Sequence, residues 1–179
     1  MKYISLLRGI NVSGQKSVKM NDLRVLYENL GLRNVITYIQ SGNVIFDATG
    51  NIASLADKIE KAIQKKYKFH VPVEIRTRQE FLSIIKNCPL KFLDLDANGA
   101  KVLVVFLSDF PSKDHISNIM QHVAESEKLI FNNREAYLYC PNGHGKSKLS
   151  NKFLEQKLKI RATTRNWKTV VKLLELSAD

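Results

Sequence analysis

The feature that most restricts this chain is the order of its strand and helix signals, which runs β-α-β-β-α-β twice. In the first pass, residues 2–7 form an apolar strand. Residues 20–30 carry Met20, Leu23, Leu26, Tyr27 and Leu30 on one helical face, with Asn21 or a neighbour as cap and Gly31 at the stop. Residues 35–39 and 44–46 are β-rich and flank Ser41-Gly42-Asn43, which is hairpin chemistry. Residues 52–67 give the strongest helical stripe, and Val71, Val73 and Ile75 alternate as a strand. Thr77-x-x-Glu80 is a capping box that opens a further helix, which Pro89 closes.

The second pass begins at residues 102–107, a continuous apolar run of the kind found in central strands. Ser112 caps a helix bearing Ile116, Ile119, Met120 and Val123. Residues 129–131 and 136–139 flank a turn at Asn132-Asn133. Ser147 is read as the cap of a helix through Leu149, Phe153, Leu154 and Leu158. Residues 160–163 read as a short strand, and Thr164 as the cap of a last helix with Trp167, Val170, Val171 and Leu174 inward. Thr77-Arg78 and Thr164-Arg165 occupy matching places. The pattern predicts an α+β protein made of two ferredoxin-like (split βαβ) plait halves with antiparallel sheets, each followed by an extra helix. The expected halves are 1–90 and 91–179, the second carrying basic C-terminal helices.

Composition narrows the classes. The chain has 179 residues, 44% hydrophobic and 25% charged, which excludes disordered and collagen-like chains. The longest aliphatic or aromatic run is 102–107, too short for a membrane helix. Cys88 and Cys140 form no CxxC pattern, so neither a zinc site nor a redox pair is signalled. The start lacks a secretory h-region, because Arg8 interrupts a short apolar stretch. The expectation is a cytoplasmic protein with reduced thiols and no membrane partner.

The plait makes a spatial prediction. Its first two strands run parallel, so the loop leaving the first strand and the tip of the next hairpin lie at one end. Residues 9–19 and 40–43 should therefore converge. Arg8, Asn11, Gly14, Lys16, Gln40, Ser41 and Asn43 are candidate ligand-binding residues there. The simpler reading is a pair of satisfied turns, with Asn11 and Asn43 bonding local backbone.

Three blocks in and beyond these loops carry a resemblance. Leu6-Leu7-Arg8-Gly9-Ile10-Asn11-Val12, Tyr38-Ile39-Gln40-Ser41-Gly42-Asn43-Val44 and Thr163-Thr164-Arg165-Asn166-Trp167 resemble the hallmark blocks of the bacterial domain-of-unknown-function family 1697. Members usually show Gly where this chain has Ser13. The resemblance implies a two-part plait-like α+β fold and carries over no activity.

Charge supplies the other candidate site. The net charge is +11, and from Pro141 to Lys172 nine basic residues face one acid, Glu155. Such clustering attracts polyanions, although a solvated helical face is the bland alternative. Gly143-His144-Gly145-Lys146-Ser147 lacks the first P-loop glycine, since Cys140 stands there, so nucleotide hydrolysis is rejected. A helix start beside Lys146 and Lys148 could still hold an anion. Lys146, Ser147, Lys148, Thr164, Arg165 and Asn166 are the anion or nucleic-acid candidates. Tyr137 and Tyr139 share a strand face where RNA-recognition plaits stack bases, but packing against the other half of the protein is the simpler role.

No catalytic signature occurs, no metal spacing joins His70, His115, His122 and His144, and no cofactor is implied. The leading reading is a binding module for a phosphate-bearing ligand, nucleic acid or a phosphorylated small molecule. The alternatives are a small-molecule enzyme or sensor using loops 9–19 and 40–43, and a protein-interaction scaffold.

Overall fold

The computed structural model describes residues 1–91 and 93–178. Strand β1 (Lys2–Leu7) leads through α1 (Met20–Asn29) to β2 (Arg33–Tyr38), and β3 (Asn43–Asp47) leads through α2 (Ile52–Tyr67) to β4 (Val73–Thr77). The sheet order is β2-β3-β1-β4, and every neighbouring pair is antiparallel. This is the split βαβ arrangement that the element order predicts. Side-chain alternation places Tyr3, Leu7, Val44, Phe46, Val73 and Ile75 in one core with Leu23, Tyr27, Leu55, Ile59 and Ile63. Ser5 meets Tyr27 in that core, Oγ to Oη at 2.9 Å, and burial holds the Tyr27 phenol above its ordinary range.

Local chemistry fixes the ends of these elements. Helix α1 stops in a Schellman motif: Gly31 N donates to Glu28 O at 2.9 Å and Leu32 N to Tyr27 O at 3.3 Å, with Gly31 at φ +79. Its first residue follows Lys19, which makes no side-chain cap, so Asn21 is not the cap. Asn51 caps α2 by accepting from Ser54 N at 2.8 Å. After β4 comes α3 (Arg78–Lys86), opened by the predicted capping box. Glu80 N donates to Thr77 Oγ1 at 3.1 Å, and Thr77 N to Glu80 Oε2 at 2.7 Å. Asp94 caps a single turn, α4 (Leu95–Asn98), accepting from the amides of Asp96 and Ala97.

The second sheet repeats the first. Strand β5 (Val102–Leu107) is followed by α5 (Lys113–Met120), β6 (Lys128–Asn132), β7 (Glu135–Tyr139), α6 (Asn151–Leu158), β8 (Ala162–Asn166) and α7 (Trp167–Leu176). The order is β6-β7-β5-β8, again antiparallel throughout. All six residues of β5 are buried, as its unbroken apolar run predicts. Leu103, Val105, Leu107, Leu138 and Ala162 share a core with Ile119, Leu154 and Leu158. The extra helices α3 and α7 each follow the last strand of their sheet. By compactness, residues Met1–Leu82 group with those from Leu173 onward, and Ser83–Lys172 form a second unit.

The duplication is aligned differently from the sequence reading. Strand β8 covers 162–166, so Thr164 and Arg165 lie within it rather than at a helix start. The equivalent of Arg165 is Arg76, since each is the penultimate residue of its unit's last strand. Arg76 pairs with Ile4 of β1, and Arg165 with Val104 of β5. A second shared device is a helix carboxylate that receives the first amide of that strand. Val73 N donates to Glu60 Oε1 and Ala162 N to Glu155 Oε1, each at 2.9 Å.

Candidate functional site

The two loops of the first sheet converge as the plait requires. The amide of Leu7, at the end of β1, donates to Gly42 O at 2.8 Å. Gly42 sits at φ +77, and a Cβ there would lie 2.6 Å from Ile10 Cδ1 and 2.8 Å from Leu7 Cβ. Only glycine allows both the conformation and the approach. Asn11 then links three strands of chain. Its Nδ2 donates to Val18 O at 2.9 Å and to Gln40 O at 2.8 Å, while its Oδ1 accepts from Val18 N at 2.8 Å.

Most candidate groups here are engaged with one another. Asn43 is fully buried, and its Nδ2 donates to Tyr38 O and Ser41 Oγ, both at 3.0 Å. Its amide therefore serves the hairpin. Arg8 is half-buried, and its backbone amide donates to Pro72 O at 3.0 Å. Lys16 donates from Nζ to His70 O at 2.7 Å and lies 5.9 Å from the Phe69 ring centroid. His70 Nε2 is 3.1 Å from Glu60 Oε2. Gly14 and Gln40 are exposed, at the tips of the loop and the hairpin. Sequence reasoning passed over the 68–72 connection. The signal was present, because the same topology sends the exit of α2 to the end where β1 leaves.

Strain concentrates in these loops. Asn11, Ser13, Lys16 and Ile39 all take positive φ, between 47 and 54. For asparagine this costs little; for the β-branched Ile39 it is a true outlier.

In the second unit three sequence expectations need correction. Ser147 does not cap α6. Residues 144–146 form a 3₁₀ turn, and Ser147 Oγ accepts from Leu149 N at 3.0 Å. Ser150 is the cap, accepting from Phe153 N at 3.3 Å. The Lys146–Lys148 stretch is thus not a helix start. Thr164 does not cap α7; it donates from Oγ1 to Asn151 Oδ1 at 2.6 Å. Asn166 is the cap, accepting from Thr169 N at 2.8 Å. Arg165 is only 9% exposed, and its Nη1 donates to Thr164 O at 2.9 Å. Burial lowers its guanidinium to about 10, which leaves it charged at neutral pH. Tyr137 is buried too, with Oη donating to Ile84 O at 2.8 Å, so it offers no open ring face.

What remains at the surface is a lysine-rich segment. Lys146, Lys148, Lys152, Lys159, Arg161, Lys168 and Lys172 are exposed, and Lys157 is half-buried beside the Phe153 ring, 5.6 Å away. Glu155, the one acid in this stretch, is turned to the amide of Ala162. Cys88 and Cys140 are buried and free, and burial pushes the Cys140 thiol up to about 11. Among the described residues no group of three His, Cys, Asp or Glu could hold a metal ion, and no helix is long and apolar enough to cross a membrane.

Two tandem split-βαβ sheets, with hairpin and loop locked by Asn11 and Gly42, define the class as a duplicated ferredoxin-like α+β protein. The chain belongs to the family described as protein of unknown function (DUF1697), whose sequence pattern matches residues 1–137. Its fold is similar to that of SP0830, a conserved bacterial protein from Streptococcus pneumoniae. The two share 25% identity and a TM-score of 0.78, over 99% of this chain and 98% of that one. Among curated proteins, no sequence relative matches.

Proposed function

We propose that the protein is a cytoplasmic, non-enzymatic binding module that holds a phosphate-bearing polymer, single-stranded nucleic acid, on the lysine-rich segment of residues 146–172. The observation that supports it is the exposure of seven cations there while the one acid, Glu155, is drawn inward to Ala162 N. A face with one sign of charge releases counterions when it neutralises phosphates, which drives association. Arg165 is buried, so it adds its charge to the field of this segment but makes no direct contact. Thiol chemistry is disfavoured, because both cysteines are buried and held protonated at neutral pH.

The test is a fluorescence-polarisation titration with a labelled single-stranded oligonucleotide. Binding should be measurable near ~50 mM salt and much weaker near ~200 mM. Changing Lys146, Lys148 and Lys152 together to Ala should flatten the slope of affinity against salt by about 2 to 3 phosphate equivalents. The same change at Lys65, Lys66 and Lys68 of α2 and its cap is the charge-matched control, and should leave the slope nearly unchanged. No binding at low salt with tens of micromolar protein overturns the proposal and returns attention to the loops at 9–19 and 40–43.

A further inference from the structure

Helices α5 and α6 pack side by side on the second sheet. Their shared core residues Ile119, Leu154 and Leu158 are fully buried, and the His122 and Phe153 rings meet edge to face at 5.2 Å. A groove of about 320 Å³ lies between residues of the two helices. His115 and Asn118 line it from α5, while Gln156, Lys157 and Lys159 line it from the end of α6. His115 and Asn118 are three residues apart, so they lie on one helical face. Lys159 takes a left-handed conformation at φ 60, which turns the chain out of the helix at the groove mouth.

The chemistry of this lining is specific. It holds two ammonium groups, two side-chain amides and one imidazole, and no carboxylate. Glu155 would be the natural counter-charge, but its carboxylate is engaged with Ala162 N. Lysines bind phosphate as point charges. Side-chain amides read the donor and acceptor edges of bases, and imidazole stacks on base faces. A volume near ~300 Å³ is at the lower end of small-ligand clefts.

We infer that this groove seats one nucleotide of the bound strand, its phosphate at Lys157 and Lys159 and its base against Asn118, Gln156 and His115. The inference rests on the polyanion reading above and adds a subsite that distinguishes a nucleic acid from any other polyphosphate. The groove is separate in sequence from the 146–148 stretch, so the two can be tested independently.

The experiment compares a labelled single-stranded oligonucleotide with inorganic polyphosphate of matched charge as competitor. Asn118→Ala with Gln156→Ala should weaken oligonucleotide binding on the order of tenfold, the loss of one good base contact, while polyphosphate competes as before. Both residues are largely surface-exposed, and an unchanged urea midpoint checks that the variant is folded. As a second readout, adenosine monophosphate added to isotope-labelled wild type should shift the side-chain amide resonances of Asn118 and Gln156. Equal loss for both polymers, or no loss for either, overturns the subsite while leaving the basic segment standing. If wild type binds neither polymer, both readings fall together.

Discussion

The side chain of Asn11 pairs with the backbone of Val18 as a neighbouring strand would, giving one hydrogen bond to its carbonyl at 2.9 Å and taking one from its amide at 2.8 Å. A third bond to Gln40 O ties this closed loop to the hairpin. Asn11→Ala would remove all three and leave the amide of a buried Val18 unpartnered, at a cost of about 2 kcal/mol. Asn11→Asp should be as harmful, since a carboxylate would face two carbonyl oxygens. Urea unfolding checks both variants and hydrogen exchange at Val18 N checks Asn11→Ala; an unchanged urea midpoint in either, or an unchanged exchange rate in Asn11→Ala, contradicts the role.

Gly42→Ala should be more severe than a usual surface substitution. The new methyl group would overlap Ile10 and Leu7 at 2.6 to 2.8 Å while the backbone stays at positive φ. A loss on the order of 3 kcal/mol is expected from strain and overpacking combined. A thermal midpoint within one or two degrees of wild type would show that the hairpin can back away.

Ile39 points the opposite way. It is 47% exposed and holds φ 48 against its β-branch. Ile39→Asn places there a residue that tolerates this conformation, and should stabilise the protein by about 1 kcal/mol. A lower urea midpoint in the variant would mean that the isoleucine earns more from packing than it loses to strain.

The caps at Thr77 and Asn166 can be compared directly. Thr77→Ala should cost on the order of 1 kcal/mol, because the Glu80 amide loses its acceptor. Asn166→Ala should cost a similar amount through the amide of Thr169. Chemical denaturation of the two single variants, with the double variant for additivity, is the measurement.

Cys140 gives a pH dependence of defined sign. Its thiol rises from an ordinary 9.0 to about 11 in the fold, with desolvation the main cause. Between these values the unfolded chain has released the proton and the folded chain still holds it. The associated stability is complete below pH ~9 and is lost as pH climbs towards ~11. Cys140→Ala should shrink the fall in the urea midpoint across that window, and an identical slope in the variant would exclude the thiol as its source.

The element order was legible because each period is carried by many residues. Six apolar positions define α2, and the run from Val102 to Leu107 defines a buried strand without help from tertiary structure. Convergence of the 9–19 and 40–43 loops followed from topology alone. Capping was less legible in the second unit, because Ser147 and Ser150 are both competent caps. The choice falls to Ser150 because Ser147 closes the 144–146 turn and accepts from the amide of the fully buried Leu149. Arg165 was misplaced for a different reason. A charged residue next to a helix reads as surface, and only the strand alternation that pairs it with buried Thr163 reveals otherwise. The groove between α5 and α6 had no sequence signal, since its five lining residues are ordinary surface types whose two groups lie 38 to 44 positions apart.

The grouping of residues from Leu173 onward with Met1–Leu82 has a consequence for synthesis. A ribosome delivers the first 82 residues early, yet their compact unit lacks its final segment until 90 further residues have been made. The unit formed by 83–172 is continuous and can complete first, so the order of maturation runs against the order of translation for the earlier unit. During that interval the nascent chain carries an unfinished first unit, whose last contacts form only when the residues from Leu173 onward have been made.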